Sequence, residues 1–150
     1  MTVKEYLKQA MYLDALINSK VCQSEHLRNL ATKVTTTYSD QGVSSEHDNK
    51  RLEKTIAKII DLEREINDDI DTLIDLKIEI TAIISQVTDM KQRLILEKRY
   101  LDFENWEQIS CDLNYNIRHV RRLHNEGIKK ISEKMSGNVL ECPTKKCYNI

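Results

Sequence analysis

Residues 90–135, MKQRLILEKRYLDFENWEQISCDLNYNIRHVRRLHNEGIKKISEKM, decide the fold of the C-terminal part of the chain. Their pattern predicts three helices joined by two tight connections. The first helix is expected over residues 89–101, with Thr88 or Asp89 as its N-cap. Asp102, Phe103 and Glu104 then interrupt the pattern. Asn105 followed three residues later by Gln108 has the form of a capping box, which predicts that a second helix begins there.

The second predicted helix is short and has one apolar face. Trp106, Ile109 and Leu113 are spaced three and four residues apart, which places them on the same side of a helix. Asn114 tolerates the left-handed backbone that a tight helix–helix turn needs, and Asn116 is a good N-cap for the helix that follows. Trp106 is expected in the core, where it locks the short helix onto the first; the alternative is a surface anchor for a partner protein.

The third predicted helix, residues 117–131, has an apolar face and a basic face. The expected buried residues are Ile117 or Val120, Leu123, Ile128 and Ile131. The opposite face carries Arg118, Arg121, Arg122 and Asn125. A scaffold helix, a short second helix and a charged third helix are the elements of a helix-turn-helix, whose recognition helix enters the DNA major groove.

Six residues of this third helix form the predicted DNA-binding site. Arg118 and Arg122 are expected at base edges, because recognition helices read DNA with their N-terminal turns and the arginine fork can contact a guanine edge in two places. The residues expected towards phosphate are His119, Arg121, Asn125 and Lys129. His124 is expected to be a partly buried packing residue.

Three short segments resemble the fourth conserved region of bacterial sigma factors. These are Arg99-Tyr100-Leu101, Trp106-Glu107-Gln108-Ile109 and Val120-Arg121-Arg122-Leu123-His124. In that region a leucine-rich helix ending in an Arg-Tyr step precedes a short helix and a recognition helix. Gly127 departs from the pattern, since sigma regions usually carry Ala there, and the recognition helix is therefore expected to fray at this residue.

Over about residues 1–131 the chain also resembles a group of small phage- and prophage-encoded proteins, related to the ArpU- and RinA-type regulators of phage late genes. The matching segments are residues 1–7, 16–20, 58–80 and 99–124. The resemblance implies a sigma-like DNA-binding domain and a regulator of transcription.

The N-terminal half predicts a helical hairpin. Residues 2–34 repeat apolar residues three and four apart, with Thr2 and Glu5 as a capping box. Residues 35–48, rich in Thr and Ser, are expected to form a mobile loop. In residues 49–87, six apolar residues recur every seventh place: Leu52, Ile59, Ile66, Leu73, Ile80 and Val87. Sustained heptads indicate coiled-coil packing against another helix.

The coiled-coil helix is too long to bury its own apolar stripe. At 1.5 Å per residue it would extend about 55–60 Å. Its partner is either the N-terminal helix folded back or the same helix of a second protomer, and the stripe is wide enough that both are expected at once. The predicted fold class is therefore all-α: an oligomerising helical hairpin over residues 1–87, a helix-turn-helix unit over 88–135 and a disordered tail over 136–150.

Charge is distributed unevenly along the chain. The net charge is only −1, but residues 61–79 hold eight acidic and two basic residues, a net −6. Residues 117–131 hold five basic residues and one acidic residue, a net +4. This polarity is expected if only the C-terminal unit meets double-stranded DNA.

Other classes of function find little support in the sequence. There is no Gly-rich phosphate loop and no nucleophile beside a base, so we expect that the protein is not an enzyme and binds no cofactor. Cys142-x4-Cys147 offers two ligands where a structural zinc needs four, so no metal is expected. No signal peptide or membrane span is apparent, which predicts a cytoplasmic protein of a bacterial host with free thiols at Cys22, Cys111, Cys142 and Cys147.

The sequence therefore predicts a homodimeric, sequence-specific transcriptional regulator of phage type. Two alternatives remain open. A small terminase-like subunit also joins a helix-turn-helix to oligomerising helices and recognises phage DNA for packaging. A protein-interaction module would instead bind RNA polymerase or another regulator without DNA.

Overall fold

The computed structural model describes residues 1–38 and 46–135, and within them the side chains of residues 1–33 and 49–135. All regular secondary structure in these ranges is helical, which confirms the all-α prediction. The five helices are α1 (Val3–Tyr38), α2 (Glu46–Ser85), α3 (Met90–Tyr100), α4 (Trp106–Leu113) and α5 (Ile117–Met135).

The helix termini follow the predicted capping chemistry. Thr2 and Glu5 cap α1 reciprocally, with the Thr2 N–H donating to Glu5 Oε2 at 2.7 Å. Asp89 rather than Thr88 caps α3, because its carboxylate accepts from the N–H groups of Lys91 and Gln92. Side-chain caps satisfy amide groups that have no partner within a helix, so short polar residues fix where these helices begin.

The loop predicted over residues 35–48 is wrong at both of its ends. α1 continues to Tyr38 and α2 begins at Glu46, so the two ends of that segment are helical. The physical reason is that threonine and serine lower helix propensity by only a few tenths of a kcal/mol each, which the continuing helix overcomes. Residues 39–45 and the predicted tail over 136–150 lie outside the described residues.

Five of the six predicted heptad positions are buried, four of them on α2 and Val87 just beyond its end. Ile59, Ile66 and Leu73 are buried in one unit of the structure, and Ile80 and Val87 are buried in the other. The first position, Leu52, is half-buried. The α2 helix ends at Ser85, and Lys134 Nζ donates to the Gln86 carbonyl at 2.6 Å beyond this end. A cation at the carbonyl end of a helix complements the helix dipole.

Polar contacts show that α1 folds back antiparallel to α2. Lys20 Nζ lies 2.6 Å from Asp69 Oδ2, and Arg28, further along α1, pairs with Glu63, further back along α2. Among the described residues Asp69 is the one buried acid, and its partner Lys20 has a raised pKa, chiefly because of their hydrogen bond. An isolated buried carboxylate is costly, so this ion pair fixes the register of the two helices.

The helices α3, α4 and α5 pack around one small apolar core. Its buried members are Ile95, Ile109, Val120 and Leu123, with Trp106, Leu113 and Tyr115 packed against it. Of the two residues proposed for the start of α5, Val120 is the buried one, while Ile117 is half-buried. Ile128 was predicted to be buried and is only half-buried, whereas Ile131 is fully buried.

The turn between α3 and α4 is held by two basic residues. Phe103 adopts a left-handed φ of 58°, a conformation that is uncommon for a bulky side chain. Arg99 Nη1 donates to the Glu104 carbonyl at 2.6 Å, and Lys98 Nζ lies 2.9 Å from the Glu104 carboxylate and 2.7 Å from that of Asp112. These two carboxylates raise the pKa of Lys98 above its ordinary value.

Gly127 does not fray α5, contrary to the prediction. The helix runs unbroken from Ile117 to Met135, and Gly127 is among its buried residues. A Cβ at this position would lie 3.0 Å from Leu96 Cδ1 and 3.5 Å from Gln92 Cβ. Gly127 therefore allows α3 and α5 to approach closely, and packing offsets the roughly 1 kcal/mol that glycine costs in a helix.

The chain divides into two compact units. Within the described residues, one comprises Met1–Lys8 together with residues 78–135, and the other comprises the described part of Gln9–Lys77. The first unit thus contains the first and last segments of the hairpin predicted over residues 1–87. The predicted domain boundaries stay a prediction. Among the described residues, no helix has the length and apolar character needed to span a membrane.

We expect Lys20→Met to lower the free energy of unfolding by about 1–3 kcal/mol, because it leaves the buried Asp69 carboxylate without its partner. Denaturant unfolding measures the change. The double variant Lys20→Met/Asp69→Leu removes both charges and should recover most of the loss. A double variant no more stable than the single one would contradict this role for the ion pair.

We expect Gly127→Leu to destabilise the three-helix unit by about 1–3 kcal/mol, because the added carbons would meet Leu96 and Gln92 in a closely packed contact. Glu133→Leu, at an exposed position of the same helix, is the matched control and should change stability by less than about 0.5 kcal/mol. Thermal unfolding of both variants tests this; equal midpoints would refute the packing role.

Candidate nucleic-acid interface

The exposed face of α5 carries a stripe of polar and basic side chains. Its members, called here the α5 stripe, are Arg118, Arg122, Asn125 and Lys129, all exposed. At 3.6 residues per turn they lie within an arc of about 60° on the helix. The buried residues of α5, which include Val120 and Ile131, occupy the opposite side. Packing of one face therefore turns these four predicted site residues together towards solvent.

The start of α5 is set by two asparagines in their predicted roles. Asn114 ends α4 in the left-handed conformation, with φ 51° and ψ 40°. Asn116 Oδ1 then accepts from the Arg118 N–H at 2.9 Å, and the Asn116 carbonyl accepts from the Val120 N–H at 3.0 Å. Asparagine is the side chain best suited to both positions. The capping box of Asn105 and Gln108 fixes the start of α4 in the same way.

The two predicted base-reading arginines differ in their surroundings. Among the described residues, no carboxylate lies within ion-pair distance of the Arg118 guanidinium. Arg122 Nη2 lies 3.1 Å from His119 Nδ1, and Arg122 Nε lies 3.9 Å from Glu126 Oε1. Because a guanidinium only donates, His119 accepts through Nδ1 and carries its hydrogen on Nε2.

A buried glutamine competes for the acid nearest the α5 stripe. Gln92 Nε2, on α3, donates to Glu126 Oε2 at 3.0 Å, whereas the Arg122–Glu126 pair has the long separation given above. Exposed ion pairs contribute about 0–1 kcal/mol. The ion pair with Glu126 thus holds Arg122 only weakly, and Arg122 can exchange Glu126 for a phosphate or a base edge at little cost.

Arg121 and Trp106 form a separate contact beside the stripe. The Arg121 guanidinium lies 5.8 Å from the centroid of the Trp106 ring, and Arg99 lies 4.8 Å from it. Trp106 is half-buried and meets His124 edge-on, so the prediction that it lies in the core is only partly met. An indole between two cations attracts both through its ring face, and Arg121 is thereby positioned by packing.

His124 joins the core to the α5 stripe. Its ring is 1% exposed, more deeply buried than the partly buried residue predicted. Nε2 lies 2.9 Å from Tyr100 Oη and Nδ1 lies 3.2 Å from Asn125 Oδ1. Since the amide oxygen of Asn125 only accepts, Nδ1 carries the hydrogen and Tyr100 donates to Nε2. The Asn125 carboxamide is therefore oriented from below by a buried hydrogen-bond chain.

Burial controls the protonation of this chain. It lowers the pKa of His124 to about 4, assisted by the nearby positive charges of Lys4, Arg99 and Lys8 and opposed by the hydrogen bond to Asn125. Burial also raises the pKa of Tyr100 to about 12, against the effect of Arg99. Both groups are therefore neutral near pH 7, as the hydrogen-bond directions require.

Two residues near the stripe were missed by the sequence analysis. Tyr115 meets His119 edge-on, with ring centroids 5.1 Å apart, and Lys91 Nζ lies 5.9 Å from the Tyr115 ring centroid. Lys91 belongs to α3, so helical spacing within α5 could not reveal it. Together they extend the basic surface beyond the N-terminal turn of α5. At the other end, Lys129 pairs loosely with Glu133 at 3.9 Å.

The described residues contain no group of three or more His, Cys, Asp or Glu side chains arranged to hold a metal ion. Cys22 and Cys111 are free and exposed, whereas Cys142 and Cys147 lie outside the described residues. Comparison of the chain with family models, with curated proteins and with solved structures finds no match. The function must therefore be argued from the geometry and chemistry of the α5 stripe.

We expect acid to destabilise the protein through His124. Its folded pKa is about 4 against an ordinary 6.5, so between these values the unfolded chain binds a proton that the folded chain does not. The free energy of unfolding should thus fall from pH 7 to pH 4 by about 3 kcal/mol more than in His124→Gln. Denaturant unfolding across pH tests this, with the exposed His26→Gln as control. Parallel curves for wild type and His124→Gln would refute it.

Proposed function

We propose that the chain is a non-enzymatic, sequence-specific DNA-binding protein that places the N-terminal part of α5 in the major groove. The observation that supports this most directly is the α5 stripe, in which Arg118, Arg122, Asn125 and Lys129 share one exposed face opposite a packed one. Solvent-facing arginines at the start of a helix, on a three-helix scaffold, match the geometry by which helix-turn-helix proteins read DNA.

The proposed roles divide by position on α5. Arg118 and Arg122 contact base edges, because they lie in the first two turns and neither is firmly paired within the described chain. The residues proposed to contact phosphate are His119, Arg121, Asn125 and Lys129. Phosphate contacts position the protein, whereas base contacts supply sequence selectivity.

The biological setting of the proposal comes from the resemblance to phage- and prophage-encoded proteins. We infer a transcriptional regulator that acts in the bacterial cytoplasm as a homodimer associated through the hairpin, with RNA polymerase as a further partner. The uneven charge supports separate roles for the hairpin in association and for α5 in DNA binding. The net charge of −6 in residues 61–79 repels DNA, whereas the net charge of +4 in residues 117–131 attracts it.

The decisive experiment is binding of the full chain to DNA fragments from the neighbourhood of its gene, by fluorescence anisotropy across a salt series. The proposal expects selective binding that weakens as salt rises, because phosphate contacts release counterions. Absence of selective binding at low salt would overturn it and favour the protein-interaction alternative. Selective binding by a ring of many subunits would favour the terminase-like alternative.

We expect Arg118→Ala and Arg122→Ala each to weaken binding to the preferred fragment by about 1–3 kcal/mol and to reduce discrimination between fragments. Arg51→Ala removes the same charge from an exposed position on α2 and is the matched control. Lys129→Ala should instead weaken binding to all fragments alike. It should also lower the slope of log affinity against log salt concentration by about 1. If the preferred fragment is still selected with full affinity by both arginine variants, the major-groove assignment is wrong.

A further inference from the structure

Four isoleucines of α2 remain exposed in the unit comprising Gln9–Lys77. Their exposed fractions are 45% for Ile56, 50% for Ile60, 37% for Ile70 and 51% for Ile74. Single exposed apolar residues are ordinary, but an apolar row along one helix indicates a surface that meets a partner. The spine Ile59, Ile66 and Leu73 is already buried, so the exposed row is a second apolar face of the same helix.

The exposed row has the spacing of a coiled-coil seam. Residues 56, 60, 63, 67, 70 and 74, called here the second seam, alternate steps of four and three. That alternation keeps side chains facing a partner helix along a left-handed supercoil. The two middle positions are polar, Glu63 and Asn67, and both line a groove of about 290 Å³ that also includes Val21 and Arg28. The seam therefore has apolar ends and a polar, open centre.

We propose that the second seam binds the same seam of a second copy of this chain, with the two α2 helices antiparallel. The residues of the seam are, in order, Ile, Ile, Glu, Asn, Ile and Ile, so its apolar and polar positions are arranged symmetrically about residue 65. Antiparallel pairing about that point sets Ile56 against Ile74 of the partner subunit, and Ile60 against Ile70 of the partner subunit. Each Glu63 then faces Asn67 of the partner subunit, whose amide can donate to the carboxylate.

A parallel pair in register would place Glu63 against Glu63 of the partner subunit at the centre of the seam. Like charges at facing positions repel, whereas the Asn67 amide that Glu63 meets in the antiparallel pair is neutral. The antiparallel pair avoids this repulsion and keeps every isoleucine opposite an isoleucine. Polar residues within an apolar seam set the register of coiled coils, and here two adjacent polar layers lie at the centre of the pair. The pairing concerns association alone and holds whether or not α5 binds DNA.

The first test is the mass of the full chain without DNA, by sedimentation equilibrium over a concentration series. The wild type is expected to be a dimer, and Ile60→Asn/Ile70→Asn is expected to weaken association at least about tenfold, because four isoleucines leave the seam of the pair. Leu94→Asn changes a similarly exposed apolar residue on α3 and should remain a dimer. Circular dichroism checks that each variant keeps its helix content. A monomeric wild type, or a double variant that associates like wild type, would overturn the proposal.

The second test distinguishes antiparallel from parallel pairing by placing either a positive or a negative charge at residue 67. The antiparallel pair contains two contacts between residue 67 of one copy and Glu63 of the partner subunit. Asn67→Lys adds an ion pair at both contacts and should tighten association by about 2-fold to 30-fold. Asn67→Glu adds a like charge at both contacts and should weaken association. In a parallel pair residue 67 faces itself, so both variants weaken association. Tighter association for lysine and weaker for glutamate supports the proposal, and any other pattern overturns it.

Discussion

Burial of one face of α5 against α3 and α4 is the constraint on which the candidate site depends. Val120, Leu123 and Ile131 are buried in the unit, which leaves the α5 stripe no direction other than solvent. No further interaction is needed to keep these four side chains exposed. The close approach of α3 and α5 at Gly127 belongs to the same constraint, since any side chain there would meet Leu96. The exposure of the candidate site is thus a consequence of core packing.

The polar groups beneath and beside the stripe are arranged so that they orient its side chains without neutralising them. Tyr100 and His124 are neutral and hold the Asn125 carboxamide through hydrogen bonds. Gln92, also uncharged, donates to the Glu126 carboxylate, which pairs with Arg122 only at the longer distance of 3.9 Å. Neutral partners of this kind fix geometry while the positive charge of the surface stays available to an anionic ligand. The cost is acid sensitivity, because a buried histidine resists protonation that the unfolded chain accepts.

The helix α2 uses its surface in three different ways. One face, with Ile59, Ile66 and Leu73, is buried in the hairpin; a second carries the exposed isoleucines; a third carries acidic residues. A helix of 40 residues presents far more surface than a single antiparallel partner can cover. The width of the apolar stripe in the sequence predicts two partners, and Ile56 and Ile70, each three residues before a residue of the buried spine, are exposed.

The sequence by itself determined the features that arise from local chemistry: the five helices of the described residues, the caps at Asn105 and Asn116, the left-handed Asn114, and the buried heptad spine. Caps and periodicity act within a few residues, so they can be read along the chain. Tertiary structure decided what depends on residues far apart in sequence. It placed Gly127 against Leu96, buried His124 beneath Tyr100, set Arg121 over Trp106 and brought Lys91 towards the start of α5. Each of these contacts joins two different helices, and only their packing fixes the distance between them.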